Sequence, residues 1–200
     1  FKIFSRLNLS PQQQVISVQG EIACYMELDQ DNLALECADS FADRRVQLIS
    51  RLHVLPVLYR DQNHLASTRD RWAKDLRELY DLLGNLRKDD PVWELLYAHT
   101  WTISNFYLSY QMEDDRSLQE LYAGVLDRIL RPRFGCFMKN LERKISKSPS
   151  IRVGVISPHL HNHNGSIWAL GWLEMIAINR DFEIFSYNTG DKYDSGTQRF

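Results

Sequence analysis

Near residue 150 the spacing of the apolar residues changes, and no fold built from one kind of element accommodates both sides of that change. From about residue 10 to 130 apolar residues recur three and four apart, the period of helices with one buried face. Beyond it, Ile151-Arg152-Val153-Gly154-Val155-Ile156-Ser157 is a short, β-branched, mostly apolar run with the character of a buried parallel strand. The chain is therefore expected to hold a helical region over residues 1–138, a linker over 139–150 and the beginning of an α/β domain over 151–200.

The helical half carries its own punctuation. Ser10-Pro11-Gln12-Gln13 combines an N-cap serine, a proline suited to the first helical position and a glutamine that completes a capping box. Val15, Val18, Ile22 and Tyr25 then share a face, up to a polar break at Asp29-Gln30-Asp31-Asn32. A second helix is expected to carry Ala34, Cys37, Ala38, Phe41, Leu48, Ile49 and Leu52. Pro56 ends it, and Leu55-Pro56-Val57-Leu58-Tyr59 is expected to be extended. A third helix places Leu65, Trp72, Leu76, Leu79 and Leu83 on one stripe, with Gly84 as its C-cap. Asp90-Pro91 opens a fourth with Val92, Leu95, Leu96, His99, Ile103 and Phe106. Asp114-Asp115 precedes a fifth with Leu118, Leu121, Tyr122, Val125 and Ile129, which Arg131-Pro132 should end. Asp89-Asp90 and Glu113-Asp114-Asp115 read as helix caps rather than carboxylate pairs. The linker is basic, with Lys139, Arg143, Lys144 and Lys147 before Ser148-Pro149-Ser150, and reads as a solvated segment or as a phosphate-binding patch.

After the first strand comes a polar loop, residues 158–165, then a helix from Ser166 to about Ile178 with Ile167, Leu170, Leu173 and Ile176. Phe182-Glu183-Ile184-Phe185-Ser186-Tyr187 makes a second strand, so residues 151–187 form one βαβ unit of an unfinished sheet. The five tryptophans, Trp72, Trp93, Trp101, Trp168 and Trp172, all fall on expected helices and are expected in the core.

Composition narrows the function classes. With 25% charged residues and a formal net charge of −2, the chain has no basic field that calls for nucleic acid or an anionic membrane surface. No apolar run of about 18 residues is present, so no membrane-spanning helix is expected. Cys24, Cys37 and Cys136 are far apart, without CxxC spacing. They read as small buried apolar residues in a reducing, cytoplasmic compartment, not as a disulfide framework or zinc site. Both ends read as cuts in a longer chain.

The candidate site is the first βα loop, Ser157-Pro158-His159-Leu160-His161-Asn162-His163-Asn164-Gly165-Ser166, which holds half of the six histidines. Open α/β sheets bind ligands outside the carboxyl ends of their strands, and a helix N-terminus there offers free N–H groups. Imidazole titrates near neutrality and suits proton transfer with a hydroxyl. Three readings stay open on spacing alone. One is a polar loop with exposed histidines. Another is a metal site built on His-x-His-x-His, as in metal-dependent hydrolases, for which nearby Asp, Glu or Cys ligands are wanting. The third is a metal-free acid/base or substrate-binding site. There is no GxGxxG fingerprint, P-loop or Ser-His-Asp order, and His53, His64 and His99 stand alone in sequence.

These residues resemble a known family. Ile151-Arg152-Val153-Gly154-Val155-Ile156-Ser157, then His159 and Asn162-His163, resembles the opening of the catalytic region of O-linked N-acetylglucosamine transferases, (I/L)-R-V-G-Y-(V/I)-S followed by a histidine before the first helix. Gly171-Trp172-Leu173 and residues 182–187 are similar to that family's first helix and second strand. Residues 104–111 and 114–122, with Leu55-Pro56-Val57-Leu58-Tyr59-Arg60, resemble the bacterial SPINDLY-like branch, and the likeness covers roughly residues 45 to 200. Val155 departs from the usual aromatic and His159 stands where many relatives carry Asp. No clean repeat of about 34 residues runs through the helices, and those before about residue 50 are candidates for final, degenerate tetratricopeptide (TPR-like) helices.

The resemblance implies a Rossmann-like GT-B fold beginning at residue 151. It further implies metal-independent, inverting transfer of N-acetylglucosamine from UDP-GlcNAc to serine or threonine hydroxyls, with no cofactor beyond the donor substrate; some relatives use GDP-fucose. Partners would be an acceptor protein or peptide and the nucleotide sugar. His163 would be the catalytic histidine near the acceptor hydroxyl, with His159, His161, Asn162 and Ser166 as substrate-binding neighbours. The UDP-binding half would lie beyond Phe200, so residues 1–200 alone are expected to be inactive. The rival from another class is a helical protein-interaction scaffold with an inactive α/β domain.

Overall fold

A computed structural model describes residues 9–87, 89–101, 104–140 and 149–200. The chain is mostly helical with one small parallel sheet, and it divides into two compact units at residues 140 and 141.

The first unit holds α1 (Pro11–Glu27), α2 (Asp31–Ala38), α3 (Arg44–Arg51), α4 (Gln62–Gly84), α5 (Val92–Thr100) and α6 (Arg116–Phe134). The capping box forms as read: Ser10 Oγ accepts from Gln13 N at 3.3 Å and Gln13 Oε1 accepts from Ser10 N at 2.9 Å. Val15, Val18 and Ile22 are buried along α1. Trp72, Leu76, Leu79 and Leu83 of α4 pack with Val46, Leu48, Ile49 and Leu52, with Val92 and Leu96 of α5, and with Leu118, Tyr122, Val125 and Ile129 of α6. A smaller cluster joins Val18 and Ile22 to Ala34, Cys37, Ala38 and Val54.

Several boundaries differ from expectation, each for a local reason. The single helix expected over 34–52 is two, because the Asp43 carboxylate accepts from Arg45 N at 2.8 Å and so starts a new helix. The polar break is shorter than 29–32, since Asp31 and Asn32 already belong to α2. Gly84 is the last residue of α4 rather than its cap; a Cβ there would lie 3.0 Å from the Arg128 guanidinium, which stacks 3.4 Å above the Tyr80 ring. Pro132 does not end α6, which continues to Phe134; so near the end, its missing N–H costs a single bond and the turns before it are untouched. Phe106 leaves the face of α5 for a separate 3-10 turn, Phe106–Gln111, where it is exposed; Ile103 lies outside the described residues.

Three side-chain expectations are also corrected. Cys37 is buried, its thiol donating to Glu21 Oε2 at 3.1 Å, and burial with that carboxylate pushes it up to about 12, but Cys24 and Cys136 are exposed. Trp72 and Trp93 are core, whereas Trp101, Trp168 and Trp172 are exposed. Asp114 and Asp90 cap Arg116 N and Val92 N, each at 3.0 Å, while Asp115 instead holds the Arg69 guanidinium at 2.6 Å. Of the basic linker, Lys139 is described and exposed; Arg143, Lys144 and Lys147 lie outside the described residues.

The second unit is a βαβ: β1 (Ile151–Ser157), α7 (Asn164–Ala177) and β2 (Phe182–Asn188). The strands pair in parallel from Ile151 opposite Phe182 to Ser157 opposite Asn188, so both end at the same edge of the sheet. β1 is not buried as its composition suggested: Ile151 and Ile156 are exposed and Val153 and Val155 half-buried. On α7 only Ser166 and Leu170 are buried, and Ile167, Trp168, Trp172 and Met175 face outward as an apolar surface. Among the described residues no helix is long and apolar enough to cross a membrane.

Candidate active site

The loop between β1 and α7 lies at the carboxyl end of β1, and α7 starts two residues earlier than its sequence pattern suggested, at Asn164. The reason is His163, whose ring serves as the helix cap: Nδ1 accepts from Gly165 N at 3.0 Å. That bond fixes the ring's chemistry. With Nδ1 accepting, the neutral ring carries its hydrogen on Nε2, and Nε2–H is the group left to face a ligand. Desolvation, with His159, His161 and Lys192 around it, lowers the His163 pKa, so the ring is neutral near pH 7.

The three loop histidines come together. His159 and His163 stack with centroids 4.3 Å apart and planes 12° from parallel, and His161 stands edge-on to His163 at 5.5 Å. Stacked rings present parallel edges rather than lone pairs that converge on one ion. Among the described residues no three or more His, Cys, Asp or Glu gather as a metal-holding group. His159, Asn162 and His163 are exposed and His161 is buried, so the reading of a polar loop with exposed histidines holds for two of the three rings. Ser166 is buried too. Its hydroxyl is 2.7 Å from both His161 O and His163 O, so its one hydrogen is shared within the loop, and it fastens the turn to the helix.

A second loop, following β2, holds the first in place, and only a weak turn signal in the sequence marks it. The Asp194 carboxylate accepts from Asn162 N through both oxygens at 3.1 Å, and from Gly196 N at 2.8 Å and Thr197 N at 3.2 Å. Those N–H groups keep Asp194 ionised below the usual carboxylate range, against a desolvation that raises it. Asn162 Nδ2 donates to Ser195 Oγ at 3.2 Å. The fit is close: a Cβ on Gly196 would sit 2.6 Å from Asn162 N, and one on Gly190 would collide with Pro158 O. Aspartate followed by a small residue and glycine is a weak turn signal. Its partner lies more than thirty residues earlier, which no local pattern reveals.

Between the loop and the last residues lies a cavity of about 280 Å³. His161, Asn162, His163 and Asn164 line one side, Ile167 and Leu170 supply an apolar wall, and Gly196, Arg199 and Phe200 close the other. Arg199 is paired with Glu174 at 2.7 Å. A polar rim over an apolar wall, at the carboxyl end of parallel strands, suits a small polar group presented on a chain.

No family model matches the chain, and neither a curated protein nor a solved structure matches it.

Proposed function

We propose that this chain is the helical region and the opening of the Rossmann-like GT-B domain of a SPINDLY-like protein O-GlcNAc transferase. The enzyme moves N-acetylglucosamine from UDP-GlcNAc to serine or threonine hydroxyls with inversion and without a catalytic metal. The observation that carries the reading is the placement of His163: at the carboxyl end of a parallel β1, capping α7, at the rim of a cavity. That is where an α/β transferase would receive an acceptor. The motifs over residues 151–187 supply the family.

In this proposal His163 is an orienting group. Its Nδ1 is engaged with Gly165 N, so Nε2–H donates to the acceptor hydroxyl oxygen and aims a lone pair at the sugar carbon; as that bond forms the sugar's bond to the diphosphate breaks, and the hydroxyl proton leaves to the departing UDP. A general-base role would require the cap bond to break first. His159 and Asn162 flank the acceptor, and Asp194 holds their loop.

The test is a transfer assay on the longer protein, with UDP-GlcNAc, a lysate and EDTA, read by mass spectrometry. Transfer that survives EDTA and is lost in His163→Ala supports the proposal. No transfer from any of several nucleotide sugars, with partner binding intact, moves the reading to a helical interaction scaffold.

A further inference from the structure

His53 and His99, isolated in sequence, meet inside the helical unit. His53 Nε2 lies 3.4 Å from His99 Nδ1, and the Gln19 side-chain amide is 3.2 Å from the first and 3.1 Å from the second. Gln19 comes from α1, His53 follows α3, and His99 is on α5 and fully buried.

Ser50 Oγ has one hydrogen and donates it to Val46 O at 2.7 Å. Its contact with His99 Nε2 at 3.1 Å then has the imidazole as donor, the tautomer in which His99 Nδ1 can hold an ion. His53 Nε2 faces the same amide nitrogen. Two imidazole nitrogens thus meet at one side-chain amide, whose oxygen and nitrogen exchange places by a half-turn.

The three atoms form a nearly equilateral triangle. Its centre lies about 1.9 Å from each corner, so an ion displaced from the plane by less than about 1 Å reaches all three at roughly 2.0 to 2.1 Å. That is the zinc–nitrogen and zinc–oxygen bond length, and the triangle is one face of a tetrahedron. Ser50 completes the pattern, since metal-bound histidines donate their other ring N–H to a fixed acceptor.

We propose that Gln19, His53 and His99 form a binding site for a divalent first-row transition ion such as zinc. Both imidazoles bind through the nitrogens named, and the Gln19 amide turns to offer Oε1. The fourth position, on the side of the half-buried Gln19 and His53, takes water or an anionic ligand. The bound ion ties α1 to α5 and to the segment after α3.

The experiment is a Zn²⁺ titration of the metal-free 200-residue chain at pH 7.5 by calorimetry, with the thermal midpoint followed in parallel. The expected result is saturable binding of one ion with a raised midpoint, weakened at least tenfold in His53→Gln and in Gln19→Ala. Both positions are half-buried, and circular dichroism establishes that the variants keep their helices. The loop histidines are the competing site, so His159→Asn/His163→Asn is titrated alongside and should still bind. Absence of binding, or binding that survives His53→Gln and vanishes in the loop variant, overturns the proposal.

Discussion

Replacing Gly196 by alanine tests whether the loop after β2 holds the histidine loop. The new Cβ would lie 2.6 Å from Asn162 N; such contacts do not fall below 3.0 Å and are ordinary from 3.4 Å, so the loops must part by about 0.4 to 0.8 Å. The same movement stretches the 3.1 Å bonds from Asn162 N to Asp194 to about 3.5 to 3.9 Å, at or past the length at which they count as hydrogen bonds. Gly196 has φ −66° and ψ −40°, which alanine adopts freely, so the cost is steric alone. Overpacking of this kind costs about 1–3 kcal/mol, or roughly fivefold to a hundredfold in the opening equilibrium. The assay is amide hydrogen exchange at Asn162, with urea unfolding alongside. Gly171→Ala is the control: its Cβ meets nothing within 4 Å, and alanine in mid-helix should stabilise α7 by roughly 0.5–1 kcal/mol. If Gly196→Ala leaves both the exchange of Asn162 and the unfolding midpoint unchanged, the two loops are not clasped and the reasoning fails.

Three other perturbations separate structural from chemical roles. His163→Asn should keep the start of α7, because an asparagine oxygen replaces the capping nitrogen, whereas His163→Ala should fray it; both should abolish transfer, and amide exchange over residues 164–167 distinguishes them. Trp72→Phe removes the donor that reaches Leu52 O at 3.0 Å in a fully buried place and leaves a partial void, so urea unfolding should show a loss of about 2–4 kcal/mol. Burial pushes Tyr122 up to about 12, so the unfolded chain releases its proton from about pH 10 while the folded one retains it. Stability should therefore fall between pH 10 and 12, and Tyr122→Phe should flatten that part of the profile of urea midpoint against pH.

What the sequence made legible was local. Ser10 and Gln13 lie three residues apart and cap each other, and α4 repeats its buried residues at helical spacing, so both could be read directly. The change of period marked the βαβ unit, because strands and helices bury different sets of positions. Asp43 was harder: a cap inside an apolar pattern that continues in phase on both sides does not announce itself. The histidine loop stood out by composition, yet its internal chemistry did not, since a capping imidazole and an exposed one look the same in sequence. Contacts made by folding were invisible. Asp194 meets Asn162 across 32 residues, and His53 meets His99 across 46.

The parallel pair of strands has a consequence for how the protein behaves in concentrated solution. Among the described residues β1 and β2 each have one side bonded to the other and one side with no strand beside it. Such a side is a row of backbone donors and acceptors that cannot tell a strand of its own chain from a strand of a neighbour. Ile151, Ile156 and Tyr187 are exposed along this ribbon, and no proline interrupts either strand. An edge of this kind is open to a strand of a neighbouring molecule, and Ile156→Lys should lower concentration-dependent association, read by light scattering, without altering the helices.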